Sequence, residues 1–240
     1  MTSTRLPGKV LLPLAGKPSI VRLLERIMRI EGLDGICLAL PEGAAHDPIA
    51  TAAADHGFGH IPVVRGSEYD VLSRFERAVH ATGAEAVMRI TSDCPLIDPA
   101  VSGAVLAAFR ASGVTYARTA PGGCPPGLDT GVVRAEALLA AAAEAVDPYD
   151  REHVMPFVRG RPERFPALYL QFEPSHSGLR MTVDHPADYT LASTLYERLY
   201  PANPAFGLSD ILALVAAEPQ IAAINADPEK DTPANPGATP

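Results

Sequence analysis

Short apolar runs alternate with amphipathic segments through the first half of this 240-residue chain, and this alternation is the strongest constraint on its fold. Apolar runs with the length of a buried strand occur at 35–40, 60–65 and 84–90. Helical periodicity predicts helices at 19–30, 47–56, 69–81 and 98–111. Successive strand–helix units of this kind predict an α/β fold. We expect three layers, with a mostly parallel sheet covered by helices on both faces.

The pattern becomes less regular after about residue 113. The elements predicted there are short strands at 114–117, 128–133 and 166–172, an alanine-rich helix at 134–145, a charged helix from Asp150, a strand-like run at Leu179–Val183 and a helix at 186–199. We therefore predict a single domain over residues 1–225. Within it, residues from about 113 to 172 form a small elaborated lobe for substrate binding or dimerisation. The tail at 226–240 is rich in Pro, Asp, Asn and Thr, and we expect it to be disordered.

Composition and charge exclude several classes of function. A formal net charge of −8 argues against a nucleic-acid partner, because such proteins use a basic surface. No run approaches the roughly 18 continuous apolar residues of a membrane span, and no secretory signal precedes the first loop. We therefore expect a cytoplasmic protein with no membrane partner. Cys37, Cys94 and Cys124 are far apart without metal-ligand spacing, and we expect free thiols.

Hydroxyl and cationic side chains are concentrated near the start of the sequence. The segment Thr2-Ser-Thr-Arg-Leu-Pro-Gly-Lys9 is followed by Gly16-Lys-Pro18, so two of the three lysines of the chain lie here. A helix is predicted to begin directly afterwards, with the Ser19 hydroxyl as its N-cap. Donors and fixed positive charge ahead of a helix N-terminus can bind a polyanion. The sequence therefore predicts a phosphate-binding loop, with no predicted strand in front of it.

Two later segments, Arg89-Ile-Thr-Ser-Asp93 and Arg180-Met-Thr-Val-Asp184, share one layout. In a strand, the alternating spacing places Arg, Thr and Asp on the same side. Each Asp then lies at the carboxyl end of a strand, where open α/β sheets bind ligands. Two carboxylates that converge beside a phosphate loop can hold Mg²⁺ against triphosphate oxygens. The alternative is that each Asp only closes a turn.

These segments, together with others, carry a resemblance to a known family. The further motifs, in chain order, are Arg65-Gly-Ser67, Asp70-Val-Leu72, Cys94-Pro-Leu-Ile-Asp98, Asp150-Arg-Glu-His-Val154 and Thr182-Val-Asp-His-Pro186. The ordered series resembles the cytidylyltransferases of the spore-coat polysaccharide biosynthesis protein F type. These are similar to the synthetases of CMP-activated 3-deoxy-manno-octulosonate and sialic acids. The resemblance runs from Thr2 to about Tyr200 and implies a Rossmann-like nucleotidyltransferase sheet.

The resemblance also implies a reaction and residues for it. The implied reaction transfers a cytidylyl group from CTP to a sugar or sugar-acid acceptor with release of pyrophosphate, for surface glycan biosynthesis, and it depends on Mg²⁺. The implied nucleotide-binding residues are Thr4, Arg5, Lys9, Lys17, Arg65, Gly66 and Arg89. The implied metal ligands are Asp93 and Asp184, which with Lys17 form the catalytic set. The resemblance also suggests a homodimer.

Candidate acceptor-binding residues are Asp129, in a stretch that the resemblance places at the sugar pocket, and Arg151 and His153 on the charged helix. A cation or an imidazole there could contact an acidic acceptor or take a proton from its hydroxyl. The alternative for Arg151 and His153 is a surface helix with local charge pairs. Cys94 is not expected to act as a nucleophile, because the neighbouring Asp93 raises the pKa of its thiol.

The sequence departs from the family pattern in two places. The family carries a short apolar strand before the phosphate loop, whereas Met1 stands close to where that strand would end, so we expect the first strand to be missing. Gly131 stands where an acidic residue is expected. Other functions also stay open at this stage: a glycosyltransferase that uses a nucleotide-sugar, a uridylyl- or guanylyltransferase, and a catalytically weak truncated paralogue that acts as a binding protein. A glycosyltransferase predicts an Asp-x-Asp motif after a strand, and this sequence has none at such a site.

Overall fold

The computed structural model describes residues 3, 5–172 and 178–226, and in them it has eight strands and nine α-helices. The strands are β1 (Pro13–Leu14), β2 (Lys17–Pro18), β3 (Leu38–Pro41), β4 (Val63–Gly66), β5 (Ala86–Arg89), β6 (Tyr116–Thr119), β7 (Gly131–Arg134) and β8 (Ala167–Leu170). The helices are α1 (Ser19–Ile27), α2 (Asp47–Ala53), α3 (Val71–Thr82), α4 (Pro99–Ser112), α5 (Ala135–Glu144), α6 (Pro148–His153), α7 (Pro156–Arg159), α8 (Pro186–Leu199) and α9 (Leu208–Ala217). Single 3₁₀ turns occur at Lys9–Leu11 and Ala44–His46, a longer 3₁₀ segment at Pro219–Asn225, and a π turn at Ala54–Phe58.

The strands form separate sheets. Strands β3 and β4 pair in parallel, with Leu38 beside Val63. A second sheet has the order β5-β7-β6-β8, in which β7 is antiparallel to both of its neighbours and β6 pairs in parallel with β8. Strands β1 and β2 form a small hairpin. Apart from that hairpin, β7 alone among the described strands runs against the strands it pairs with, so the prediction of a mostly parallel α/β fold is confirmed.

Helices cover both faces of the sheets, which gives the predicted three layers. Leu38 and Leu40 of β3 pack with apolar residues of α1 and α2. Val87 of β5 packs with α3 and α5, whereas the next residue, Met88, packs with the α1 and α2 cluster. Because successive strand residues point to opposite faces, α1 and α2 lie on one face and α3 and α5 on the other.

The starts of α4 and α1 test the two predicted N-caps. The Asp98 carboxylate accepts hydrogen bonds from the backbone N–H groups of Ala100 and Val101 at 2.8 and 3.0 Å, so it caps α4 as predicted. The predicted cap of α1 is wrong. Ser19 is the first helical residue, is buried, and follows Pro18 at the N-cap position, where no side chain caps the helix. The charged helix also begins earlier than predicted, at Pro148 after an Asp147 cap.

The strand predicted at 179–183 is absent from the structure, since these residues are extended but belong to no sheet. All three cysteines are free thiols, as predicted. In the described part of the chain, no single helix is long and apolar enough to cross a membrane. One pair bent by 108°, α9 with the 3₁₀ segment at Pro219–Asn225, satisfies length and composition together. The predicted tail falls, from residue 227 onward, outside the described residues.

Candidate functional site

The loop before α1 is held by a buried arginine. Ala15 and Gly16, between β1 and β2, have φ values of 45° and 81°, and positive φ at both residues is typical of a type I′ hairpin turn. The guanidinium of Arg22 donates to the carbonyl of Leu14 at 2.9 Å and to that of Ala15. Because Arg22 is only 2% exposed, it ties the turn to α1 from inside the protein.

Lys9 lies between two carboxylates that are 91 residues apart in the sequence. Its Nζ atom is 2.8 Å from Asp184 Oδ1 and 3.4 Å from Asp93 Oδ2. The exposed Arg5 adds a second cation, with Nη2 at 3.4 Å from Asp184 Oδ1. The structure therefore brings together four of the predicted site residues, two cations and two anions, at one partly exposed position.

Backbone hydrogen bonds, and not strand ends, position the two carboxylates. Strand β5 ends at Arg89, so Asp93 lies in the turn that follows, and Asp184 lies in the extended segment before α8. The N–H of Val183 donates to the carbonyl of Asp93 at 2.7 Å, which joins the two segments directly. The expectation that each Asp ends a strand is thus wrong, although the two residues do converge.

Glycine makes this close packing possible at a second point. The N–H of Met181 donates to the carbonyl of Pro126 at 2.7 Å, beside Gly127, whose φ is +95°. A Cβ atom at Gly127 would lie 2.6 Å from the backbone carbon of Met181, so another residue would push the two segments apart. The extended segment is therefore fixed on both sides of Asp184, by residue 126 before it and by α8 after it.

The contact with Lys9 favours the charged form of Asp184. Burial raises the pKa of Asp184, but the hydrogen bond and charge of Lys9, helped by Arg5, outweigh it and leave the pKa below its ordinary value. Behind it, the side chain of Asp188 accepts from the N–H of Asp184 at 3.0 Å and pairs with Arg180. Burial and the neighbouring Asp93 raise the pKa of the Cys94 thiol well above its ordinary value, so this thiol is not a nucleophile.

The donor set suits a hard divalent cation that is shared with a ligand. Within the described residues, no group of three or more His, Cys, Asp and Glu side chains could enclose a metal ion by itself. Mg²⁺ needs no such cage, since it is usually held by one or two carboxylates together with water and substrate phosphates. Asp93 and Asp184 fit that requirement, and Lys9 now occupies the position between them.

A basic pocket adjoins the carboxylates. It is a cavity of about 230 Å³, and residues 89–91 and Cys94 form part of its wall, so it shares the turn that carries Asp93. Its polar lining includes Arg89, Tyr116, Arg118, Asp129, His153 and Arg159. The Nε atom of Arg89 is buried, and among the described residues it has no hydrogen-bond partner. Burial lowers the pKa of Arg89, and the nearby charges of Asp93 and Asp129 oppose this shift without cancelling it.

The wall of this pocket explains the unexpected glycine. A Cβ atom at Gly131 would lie 3.0 Å from the hydroxyl oxygen of Tyr116, which is buried beneath it. The space for a side chain at 131 is thus taken by the Tyr116 ring. Asp129, two residues earlier, has its carboxylate 3.7 Å from Arg118 and accepts from the N–H of Gly127.

Several predicted site residues lie away from both the paired carboxylates and the basic pocket. Lys17 pairs with Glu25 at 2.6 Å, and Arg65 on β4 pairs with Asp47 at 2.6 Å. Arg151 clamps Asp70, the N-cap of α3, with two hydrogen bonds of 2.9 and 2.7 Å, and also donates to the carbonyls of Ala142 and Ala145. The guanidinium of Arg151 thus makes four hydrogen bonds, which link α6 to the end of α5 and to the start of α3.

Three further predicted residues complete the comparison. Gly66 is buried on β4 against the side chain of Arg74. His153 lines the pocket with its ring 4.4 Å from that of Tyr149. Thr4 lies outside the described residues. Sequence reasoning missed three pocket residues, Tyr116, Arg118 and Arg159. They come from two separate elements and belong to no local motif. The one sequence signal for this pocket was an arginine at a strand position, Arg118 on β6.

Together, the three-layer α/β fold and the paired carboxylates beside a cationic loop define an enzyme of the nucleotidyltransferase class. Residues 1–200 match the sequence model of a family described as cytidylyltransferase. The chain belongs to the cytidylyltransferase family. It is 28% identical over 231 residues to the spore coat polysaccharide biosynthesis protein SpsF of Bacillus subtilis, covering 92% of this chain and 93% of SpsF.

Two further similarities agree with this assignment. The structure of a cytidylyltransferase from Leptospira borgpetersenii matches with a TM-score of 0.85 and 25% identity, over 92% of each chain. A 3-deoxy-manno-octulosonate cytidylyltransferase of Anaeromyxobacter dehalogenans is 37% identical over 112 residues, which are 45% of this chain and 43% of that enzyme. The family resemblance seen in the sequence is thereby confirmed.

Proposed function

We propose that this cytidylyltransferase transfers a cytidylyl group from CTP to a hydroxyl of a sugar or sugar-acid acceptor, with Mg²⁺ as cofactor and pyrophosphate as the second product. The observation that carries the proposal is the contact of Lys9 with both Asp93 and Asp184. A cation between two carboxylates marks a position that a divalent ion can take when a triphosphate arrives. The names of the relatives, which concern polysaccharide biosynthesis and an octulosonate, support a sugar acceptor for surface glycans.

Four residues would bind the metal and the triphosphate. Asp93 and Asp184 would hold Mg²⁺, which when bound supplies neutralisation of charge on the phosphate oxygens. Arg5 and Lys9 would contact the triphosphate oxygens, and Lys9 would then exchange its carboxylate partners for phosphate oxygens. Four more residues are proposed as nucleotide ligands from motif order alone: Thr4, Lys17, Arg65 and Gly66. Of these, Lys17 is the candidate at the α-phosphate.

The basic pocket would bind the acceptor, and its walls come largely from the proposed lobe at 113–172. Three arginines, Arg89, Arg118 and Arg159, line one small cavity. Such a set favours an acceptor with a carboxylate, because arginine forks match carboxylate geometry. Asp129 can accept hydrogen bonds from sugar hydroxyls. We therefore favour a sugar acid over a neutral sugar, with Arg89 on the acceptor side of the site.

The chemical step needs positioning more than covalent help. The acceptor hydroxyl oxygen forms a bond to the α-phosphorus of CTP, and the bond from that phosphorus to the bridging oxygen breaks. Pyrophosphate leaves with the bonding electrons. The hydroxyl proton passes to a base at the pocket wall, for which His153 is the candidate.

The proposal involves neither nucleic acid nor a membrane, and it assigns the enzyme to the cytoplasm. A homodimer stays a prediction, which size-exclusion chromatography with light scattering checks. The alternative of a catalytically weak paralogue that acts as a binding protein is separated from an active enzyme by pyrophosphate release from CTP with Mg²⁺ over a panel of acceptors, which only the active enzyme gives.

Calorimetry tests the nucleotide site. CTP with Mg²⁺ is titrated into the wild-type protein, Asp93→Asn, Asp184→Asn and a control, Asp34→Asn, whose carboxylate is exposed at the surface. We expect CTP binding that needs Mg²⁺ and is weakened at least about tenfold in the two site variants, which corresponds to about 1.4 kcal/mol. Equal binding in all four proteins, or no binding in any, would contradict the assignment.

A further inference from the structure

The extended segment before α8 is held by few backbone hydrogen bonds. Residues 179–183 belong to no sheet, so no strand ladder fixes them. The N–H of Met181 donates to the carbonyl of Pro126, and the N–H of Val183 donates to that of Asp93. The proposed metal ligand that follows this stretch therefore depends on the hydrogen bonds that α8 supplies.

A buried aspartate of α8 supplies them. Oδ2 of Asp188 accepts hydrogen bonds from the N–H groups of Asp184 at 3.0 Å and of His185 at 2.8 Å. The same oxygen pairs with the guanidinium of Arg180. None of the Asp188 side chain is exposed, so protein donors must replace the water that this carboxylate has lost.

The other oxygen of this carboxylate is bound from near the end of the described chain. The side-chain nitrogen of Asn225, Nδ2, donates to Oδ1 of Asp188 at 2.9 Å. The same nitrogen donates to the carbonyl of Arg180, also at 2.9 Å, so both of its protons are used. Asn225 is only 5% exposed, which shields the contact from bulk water. One buried amide thus binds residues 180 and 188, on either side of the proposed metal ligand.

The 3₁₀ segment Pro219–Asn225 that presents this amide is itself attached to α8. Ile221 of the segment is 3% exposed and belongs to the same apolar cluster as Leu195 of α8. Just before the segment, Glu218 forms an ion pair with Arg198 of the same helix. The amide therefore reaches the carboxylate from a chain segment that packing and charge hold in place.

Helix α9, which precedes this segment, is attached to the chain that carries the second carboxylate. The N–H of Leu208, the first residue of α9, donates to Oδ2 of Asp98 at 2.6 Å. Asp98 is the N-cap of α4 and follows Asp93 by five residues. Residues 208–225 thus contact both of the chain segments that provide the carboxylates of the candidate site.

These contacts lie beyond the part of the chain that matches the family model, which ends at residue 200. The motifs that indicate the site in the sequence also end near there. The family match therefore assigns no role to Asn225, and its hydrogen bonds are the observations that point to one.

We propose that Asn225 is a positioning residue, which orients the carboxylate of Asp184 through Asp188. The amide holds one oxygen of Asp188, and the other oxygen then stays against the N–H groups of Asp184 and His185. Without the amide, a buried carboxylate oxygen loses a donor, and we expect Asp188 to shift and the segment before α8 to loosen. The role of Asp184 as a metal ligand rests on the proposed function, whereas the ordering of its segment does not.

Hydrogen exchange tests this ordering in the free protein. Asn225→Ala removes both donors, and Gln220→Ala is the matched control, because it removes an exposed amide side chain from the same 3₁₀ segment. The amides of Asp184 and His185 are expected to exchange at least about tenfold faster in Asn225→Ala than in the wild-type protein or the control. The amide of Val105, inside α4, is expected to change less than about twofold in every protein.

The Mg²⁺ dependence of CTP binding tests the positioning of Asp184. In calorimetric titrations at a series of Mg²⁺ concentrations, Asn225→Ala is expected to need at least about tenfold more Mg²⁺ than the wild-type protein for half-maximal CTP binding. Gln220→Ala should need the same concentration as the wild-type protein. Asn225→Ser, which keeps one shorter donor, is measured alongside and takes the place of Asn225→Ala if that variant does not fold.

Unchanged exchange at Asp184 and His185 would overturn the proposal. Equal acceleration at Val105 would overturn it as well, because it indicates a general loss of stability. Local acceleration with an unchanged Mg²⁺ requirement would show that Asn225 orders the segment without positioning the ligand, which also overturns the proposal. Absence of CTP binding by the wild-type protein would instead contradict the proposed function, and the exchange comparison would still decide whether Asn225 orders the segment.

Discussion

Replacing Lys9 by methionine should expose the repulsion that this lysine suppresses. Lys9 Nζ contacts Asp184 at 2.8 Å and Asp93 at 3.4 Å, and its side chain is only 14% exposed. The two contacted oxygens are no more than about 6 Å apart, because they share one nitrogen, and with an effective dielectric constant of about 20 their repulsion is about 2.7 kcal/mol. Water screens part of this, since the carboxylates are 28% and 22% exposed. We expect Lys9→Met to lower the free energy of unfolding by about 1.5–3 kcal/mol.

Urea denaturation at neutral pH measures this loss, and Lys17→Met is the matched control. It also removes one lysine charge from the loop, but Lys17 is 40% exposed and makes a single ion pair with Glu25. We expect the control to lose less than about 1 kcal/mol. Repeating both titrations with Mg²⁺ adds a second readout, because a divalent ion can neutralise the carboxylates once the ammonium is gone. Mg²⁺ should therefore stabilise Lys9→Met more than the wild-type protein.

The reasoning fails if Lys9→Met and Lys17→Met unfold at the same urea concentration. It fails in a second way if Mg²⁺ stabilises the wild-type protein and Lys9→Met equally. In either case the two carboxylates do not form one electrostatic unit around Lys9, and the inferred metal position loses its main support.

Three further predictions concern the lobe at 113–172 and the basic pocket beside it. Burial raises the pKa of Asp70, but the hydrogen bond from Arg151 outweighs burial and leaves the pKa below its ordinary value. The Asp70–Arg151 pair therefore stabilises the fold fully above the ordinary pKa of Asp, and this stabilisation is lost as the pH falls through the lowered pKa. Arg151→Met should cost about 1–2 kcal/mol at pH 7 and progressively less in acid, by urea denaturation. Gly131→Asp would meet the Tyr116 hydroxyl, and it should reduce acceptor turnover while calorimetric CTP affinity is unchanged. Arg89→Met should raise the KM for an acidic acceptor by at least about tenfold and should change the KM for CTP less. An equal rise in both KM values would place Arg89 at the nucleotide instead.

The order of elements follows from local signals, and sequence reasoning therefore predicts it well. Alternation of apolar runs and amphipathic helices depends on neighbours only a few residues apart, so the α/β class and the start of α4 at Asp98 could be read directly. The segment at 179–183 has strand-like composition but pairs with no sheet. Its backbone instead bonds to residues 126 and 93, and such distant partners leave no periodic trace.

The residues of the candidate site likewise divide into those that a short motif predicts and those whose role depends on distant packing. Asp93, Asp184 and Lys9 could be proposed because each lies in a short motif, and the structure brings them together. Arg151 looked similar in the sequence, yet its guanidinium bridges α6 to the start of α3. Whether an arginine binds a ligand or a neighbouring carboxylate depends on packing between helices, which spacing along the chain does not encode.

Pyrophosphate release from CTP is the measurement that tests the central claim most directly. The protein is incubated with CTP, Mg²⁺ and a panel of neutral sugars and sugar acids, with Asp184→Asn as the inactive control. We predict release that requires Mg²⁺ and one or more sugar acids, exceeds the release with matched neutral sugars, and is lost in the variant. No release with any acceptor, together with no calorimetric binding of CTP, would contradict the account.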